Sequence, residues 1–219
     1  MSESFFPDVT EQLPVLPGMN LYAPIHHMML SFDTLVLALK SDFPTYGPQG
    51  SFASSDCVQI PFTLYWKNYA AWEAAHADPE GSPVLSLLFQ PNSERKYGSF
   101  DWRRMRGLNT YYINSIAGPF VSYFEKHIEF IRGLARYDIK RLPWPWDFAR
   151  VVRNAIVHGS ISIQDKKFTP VRWCNLTYGP DDHGRDILGA DLNIADLVFL
   201  LIHMEGVLWS LSDPATRVP

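Results

Sequence analysis

Residues 147–159 read Asp-Phe-Ala-Arg-Val-Val-Arg-Asn-Ala-Ile-Val-His-Gly, and this stretch predicts the helix around which the rest of the chain is organised. Pro145, two residues before it, suits a first helical turn because that turn has no use for the N–H group that proline lacks. Gly159 suits the position just beyond a helix C-terminus, where a left-handed backbone is common. The sequence therefore predicts a helix over residues 145–158.

The predicted helix has two chemically different faces. At about 100° per residue, one face collects the apolar side chains Phe148, Val151, Val152, Ala155 and Ile156. The opposite face carries the polar side chains Asp147, Arg150, Arg153, Asn154 and His158. Val157 is the one apolar residue of this polar face, which predicts that the face meets another surface.

Residues 153–158, Arg-Asn-Ala-Ile-Val-His, resemble the R-N-x-x-x-H motif of HEPN domains. This family consists of small helical domains found in many prokaryotic toxins, phage-defence proteins and RNA-processing factors. Many members are metal-independent endoribonucleases that act as dimers, with the motif lining a cleft between two copies. The resemblance covers about residues 105–210 and extends more weakly back to residue 21.

The resemblance and the hydrophobic periodicity predict an all-α fold with one small β-hairpin. Residues 101–219 are expected to form the HEPN-like helical domain, and residues 1–100 an N-terminal arm and helical region packed on it. Alternating apolar residues after Gly159 predict that the hairpin pairs residues 160–164 with residues 168–176. The other helices are predicted at residues 22–40, 59–77, 102–137 and 192–211, the third kinked or broken at Gly118-Pro119.

The resemblance also implies roles for the side chains of the polar face. Arg153 is expected to hold a phosphate, Asn154 to orient the imidazole or the phosphate, and His158 to act as acid and base. Cleavage of RNA by its own 2′-OH needs such a proton acceptor and such a cation. Further predicted site residues are Arg150, Lys166 and Lys167 for substrate, Glu125 and Asp147 as supporting carboxylates, and Val157 at the interface. Nothing in this set requires a metal ion or a cofactor.

The predicted function is therefore a metal-independent endoribonuclease of toxin or phage-defence type, with RNA as substrate, a homodimeric assembly, and an antitoxin or regulatory partner. A non-catalytic HEPN module that binds RNA, a nucleotide or a protein partner is the alternative. The three motif side chains could also serve the fold alone, by capping carbonyl groups at a helix end. Glu125 could equally be an ordinary exposed residue rather than a partner of Arg153.

The charge distribution favours a local nucleic-acid surface. The 219 residues carry a net charge of −4, which argues against a general binder of polyanions. Residues 95–172, however, hold 15 of the 19 Lys and Arg and only 6 of the 23 Asp and Glu, an excess of nine positive charges. A basic middle between acidic ends is typical of a restricted nucleic-acid footprint, although solvated helix faces could produce the same pattern.

Compartment is predicted from what the sequence lacks. Cys57 and Cys174 have neither metal-binding nor redox spacing, which predicts two reduced thiols. The first residues lack the basic and apolar segments of a signal peptide. No apolar run reaches the ~18 residues of a membrane span. The sequence thus predicts a cytoplasmic protein without a membrane segment.

Overall fold

The computed structural model describes residues 11–16, 18–39, 49–53, 62–67, 85–91, 106–135 and 142–212. This part of the chain is mainly helical. Its helices are α1 (Tyr22–Leu39), α2 (Arg106–Ala135), α3 (Trp146–His158) and α4 (Ile194–Ser212). Its strands are β1 (Glu11–Val15), β2 (Gln49–Ala53), β3 (Phe62–Lys67), β4 (Leu85–Pro91), β5 (Val171–Trp173) and β6 (Leu176–Tyr178), and a 3₁₀ turn spans Pro180–Asp182.

The helices share one hydrophobic core. Helix α2 packs against α1, α3 and α4, and α3 also contacts β5. Trp146 lies fully buried at the start of α3, and its indole Nε1 donates a hydrogen bond to the carbonyl oxygen of Met204 on α4, at 3.1 Å. The predicted apolar face of α3 is confirmed, because Phe148, Val151, Val152 and Ala155 are buried and Ile156 is partly buried against the same core.

The ends of α3 and α4 follow from their sequences. Helix α3 ends at His158, and Gly159 adopts the predicted left-handed conformation at φ +79°. Helix α4 begins at Ile194, because the carboxylate of Asp196 accepts the backbone N–H of Asn193 at 2.7 Å, as a helix-capping side chain does. Helix α2 passes through Pro119 without a break, so the predicted interruption there is limited at most to a kink.

The all-α prediction missed a four-stranded antiparallel sheet. Its strand order is β1-β4-β3-β2, and β3 lies within residues 59–77, for which the aromatic pattern predicts a helix. For residues 62–67 that prediction is wrong, because aromatic spacing fits a helical face while Phe-Thr-Leu-Tyr-Trp-Lys is rich in residues that favour strands. Residues 59–61 and 68–77 lie outside the described residues. Residues 11–15 of the predicted N-terminal arm form β1, which pairs with β4, and residues 1–10 lie outside the described residues.

The hairpin after α3 exists but lies further along the chain than predicted. Strands β5 and β6 pair around a tight turn in which Cys174 has φ 50°. Residues 160–164 form no strand. Ile161 instead donates its N–H to Arg185 at 2.9 Å and accepts from Gly184 at 2.8 Å. The alternation of Ile161 and Ile163 therefore marked two buried side chains correctly but did not identify their partner.

Helix α4 is apolar enough to raise the question of a membrane. The helix has 19 residues and contains an 18-residue window with a mean hydropathy of 1.7, so by length and composition it could cross a bilayer. Within the described structure 56% of that window is buried, as in a core helix, and the buried side chains include the acidic Asp196 and Glu205. The predicted absence of a membrane segment and the cytoplasmic location stay predictions.

Alanine substitution at two glycines tests the left-handed conformation of Gly159, because the two changes should shift the free energy of unfolding in opposite directions. We expect Gly159→Ala to lower the free energy of unfolding by about 1 kcal/mol, because alanine disfavours positive φ. Gly206→Ala, inside α4 and facing open space, should raise it by about 1 kcal/mol through helix propensity. Thermal unfolding should shift by about 2–4 °C in each direction. A stabilising effect of Gly159→Ala would contradict the left-handed assignment.

His203 on α4 predicts a pH dependence of stability. Its Nδ1 accepts a hydrogen bond from the indole of Trp173 at 3.0 Å, and burial lowers the pKa of His203 to about 4. The unfolded chain therefore binds more protons between about pH 6.5 and pH 4, so stability should fall as the pH drops through this window. The free energy of unfolding can be measured with urea at pH 7 and at pH 4.5. Between these two pH values it should fall by about 2 kcal/mol less in His203→Gln than in the unaltered protein. Equal losses in the two proteins would contradict this assignment.

Candidate functional site

The polar face of α3 lies on the surface because the apolar face is held in the core. Arg153 and Asn154 are partly buried, and Val157 and His158 are exposed at the C-terminal end of the helix. The structure thus places the R-N-x-x-x-H residues on one accessible strip of α3, beside helix α2 on one side and residues 160–168 on the other.

Arg153 is held by two neighbours. Its guanidinium forms an ion pair with the carboxylate of Glu125 on α2, the pairing that the sequence suggested. Its Nη1 also donates a hydrogen bond to Oδ1 of Asn154, at 3.0 Å. The side chains of Arg153 and Glu125 are 28% and 47% exposed, so solvent screens the pair. The contacts orient the guanidinium and leave part of it open to a ligand.

Arg150 is held on the other side of the strip. Its Nε and Nη2 donate to Oδ1 of Asp147, at 3.1 and 2.8 Å. The same guanidinium lies over the ring of Phe168, with Cζ 5.4 Å from the ring centroid, a cation–π arrangement. Each arginine of α3 is therefore positioned by one carboxylate, Asp147 for Arg150 and Glu125 for Arg153.

Asn154 and His158 are one helical turn apart, and no hydrogen bond joins them among the described residues. The Asn154 oxygen is used by Arg153, so that oxygen orients the guanidinium and not the imidazole. Among the described residues His158 makes no hydrogen bond or ion pair, and its side chain is exposed. The imidazole is thus free to meet a substrate or a second chain.

A half-open cavity of about 120 Å³ lies between α3 and residues 162–168. Its lining comprises Arg150, Val151, Asn154, Ser162, Ile163, Gln164, Asp165 and Phe168. Sequence reasoning missed the last five of these, because it placed four of them in paired strands and Asp165 in the turn between the strands. The signal that could have identified Phe168 was an aromatic residue directly after the basic pair Lys166-Lys167.

Lys166 and Lys167, the predicted substrate contacts, are exposed on the turn beside this cavity and do not line it. The turn is closed by the Asp165 carboxylate, which accepts the backbone N–H of Lys167 at 2.8 Å. The described residues include no cluster of three His, Cys, Asp or Glu side chains that could hold a metal ion. Val157, the predicted interface residue, is 51% exposed in the single chain.

No protein-family model, curated protein or solved structure matches this chain. The residues of the site and their geometry are therefore the basis of the function proposed below.

A double-mutant cycle measures how strongly α2 positions the motif arginine. In the free energy of unfolding, we expect Arg153→Met and Glu125→Gln to show a coupling energy of about 0.5–1 kcal/mol. This coupling should be smaller in 1 M salt, because the pair is half exposed. The ion pair of Arg132 and Glu129 on α2, one turn apart on the surface, is the matched control and should couple by about 0.3 kcal/mol. Coupling at Arg153 below that of the control would contradict a positioning role for Glu125.

Proposed function

We propose that this protein is a metal-independent endoribonuclease of toxin or phage-defence type, built on a HEPN-like helical bundle. The observation that carries the proposal is the arrangement on α3, where Arg153 is oriented by Glu125 and Asn154 while His158 stays exposed one turn away. A fixed cation beside a free imidazole provides the two groups that cleavage of RNA by its own 2′-OH requires.

In the proposed reaction the imidazole of His158 removes the proton of a ribose 2′-OH. The 2′ oxygen attacks the adjacent phosphorus, the bond from phosphorus to the 5′ oxygen breaks, and that oxygen takes the proton that His158 accepted. The products are a 2′,3′-cyclic phosphate and a 5′-hydroxyl. Arg153 stabilises the negative charge on the phosphate oxygens, for which its planar, permanently charged fork is well suited. Arg150, Lys166 and Lys167 hold the neighbouring chain of phosphates.

The proposal includes a homodimer. Val157 is an aliphatic side chain that is 51% exposed among arginines. Its burial against a second copy would remove apolar surface from water and so favour association. An isologous contact would bring two such strips to one cleft. The ion pairs of Arg150 with Asp147 and of Arg153 with Glu125 reduce the repulsion between the two basic strips. Bound RNA then tightens the dimer, because it neutralises the remaining charge.

The same ion pairs favour a second candidate, a HEPN-like module that binds RNA, a nucleotide or a protein partner without cutting. Both α3 arginines already have carboxylate partners, so part of their function is architectural. The two candidates differ in one readout, because the binding module retains bound RNA intact. A protein partner, such as an antitoxin, and action in the cytoplasm belong to either proposal.

Incubation with single-stranded RNA in EDTA tests the catalytic proposal. Arg153→Ala and His158→Ala should each lower the rate by about 10²–10³, because each removes a group that acts in the transition state. His183→Ala, an exposed histidine on the loop after β6, is the matched control and should cut at the unaltered rate. Cleavage that persists in both motif variants would show that another site or a contaminant is responsible.

Light scattering at micromolar concentration tests the dimer. Val157→Arg should weaken self-association at least tenfold and lower activity in parallel, because a two-fold interface buries the new charge twice. Leu16→Arg, at a site 46% exposed on the N-terminal segment, is the matched control. A monomer with full nuclease activity would refute the assembly.

A further inference from the structure

We propose that the cavity between α3 and residues 162–168 is a subsite for one extruded nucleobase, which selects the nucleotide beside the cut. This inference rests on the proposed function and adds to it a substrate class: single-stranded RNA that carries a base with an exocyclic amino group at this position.

The size and the walls of the cavity suit a single planar ring. Its volume of about 120 Å³ equals about four waters at about 30 Å³ each, enough for one base and too small for a whole nucleotide. Val151 and Ile163 form an apolar floor, and both are buried. Phe168 also lines the cavity and provides a flat ring of the kind on which single-stranded bases stack.

The rim provides hydrogen-bonding groups suited to a base edge. Ser162 and Gln164 are exposed and line the opening. The Asp165 carboxylate uses one oxygen for the Lys167 N–H, and a carboxylate has further acceptor sites. A carboxylate accepts from exocyclic amino groups, as carboxylates do from cytosine N4. Uracil lacks such a group and is disfavoured.

The position of the cavity connects base selection to cutting. Asn154 lines the cavity and also accepts the hydrogen bond from Arg153. His158 lies one turn further along α3, about 6 Å along the axis. A base in the cavity therefore belongs to a nucleotide next to the phosphodiester that Arg153 and His158 act on.

Binding of uncleavable RNA tests the subsite separately from catalysis. The probes are four fluorescent 2′-O-methyl heptamers, each uridine except for A, C, G or U at the centre, measured by anisotropy. The unaltered protein should bind at least one amino-bearing centre fivefold or more tightly than uridine. Asp165→Asn keeps the acceptor for the turn and removes the charge, and Ser162→Tyr fills the cavity from an exposed position. Both should reduce the preference to about onefold.

Two further variants separate stacking from general charge. Phe168→Ala should weaken binding of all probes about tenfold, since stacking on an aromatic ring contributes about 1–3 kcal/mol per base. Phe130→Ala, at an exposed phenylalanine on α2, should leave every affinity unchanged. A base preference that survives Ser162→Tyr and Asp165→Asn overturns the subsite.

Cleavage of the matching 2′-hydroxyl heptamers distinguishes the two failures. One result is that the protein cuts with no base preference, and another is that it cuts with a preference that the cavity variants do not change. Either result overturns the subsite and leaves the nuclease standing. Selective binding that the cavity variants abolish, with no cutting, supports the subsite and refutes the nuclease. Absence of both binding preference and cutting overturns both.

Discussion

The burial of Trp146 is the constraint on which the rest of the structure depends. Its indole nitrogen donates to the carbonyl of Met204, and its ring lies 6.1 Å from that of Tyr123 and 5.7 Å from that of Phe124. One side chain thereby joins the start of α3 to both α2 and α4. Because this end is fixed, the helix can turn its apolar residues inward only by exposing Arg153, Asn154 and His158.

A buried carboxylate completes that junction. Glu205 on α4 accepts hydrogen bonds from the Tyr123 hydroxyl, from Asn20 at 3.2 Å and from Trp209 at 2.8 Å. Burial and the bond to Glu205 raise the pKa of Tyr123 above its ordinary value, which keeps the phenol protonated as the donor. Tyr123 fixes the rotation of α2, and Glu125, two residues further along, faces Arg153. The core network thus sets the position of the ion pair at the surface.

The sequence predicted those parts of the fold in which local signals agree with packing. The amphipathic pattern, Pro145 and Gly159 all indicated α3, and its bounds were predicted within one residue. The helix predicted for residues 62–67 was wrong because the spacing of the aromatic residues is compatible with both a helix and a strand. Pairing with β4 and β2 decides for the strand. For the site, the pair of Glu125 and Arg153 was predictable, because the resemblance of the motif to HEPN domains implies a supporting carboxylate and Glu125 was the candidate. The cavity was not, because it depends on Ile161 pairing with Gly184 and Arg185, far along the chain.

We propose that the polar face of α3 cuts RNA through the 2′-OH, and the chemical ends of the product test this proposal most directly. Mass spectrometry of RNA digested by the unaltered protein in EDTA should find 2′,3′-cyclic phosphate and 5′-hydroxyl termini, because the imidazole and the guanidinium suffice for internal transfer. Termini with 3′-hydroxyl and 5′-phosphate groups would show that water is the nucleophile. That result would contradict the roles assigned to Arg153 and His158.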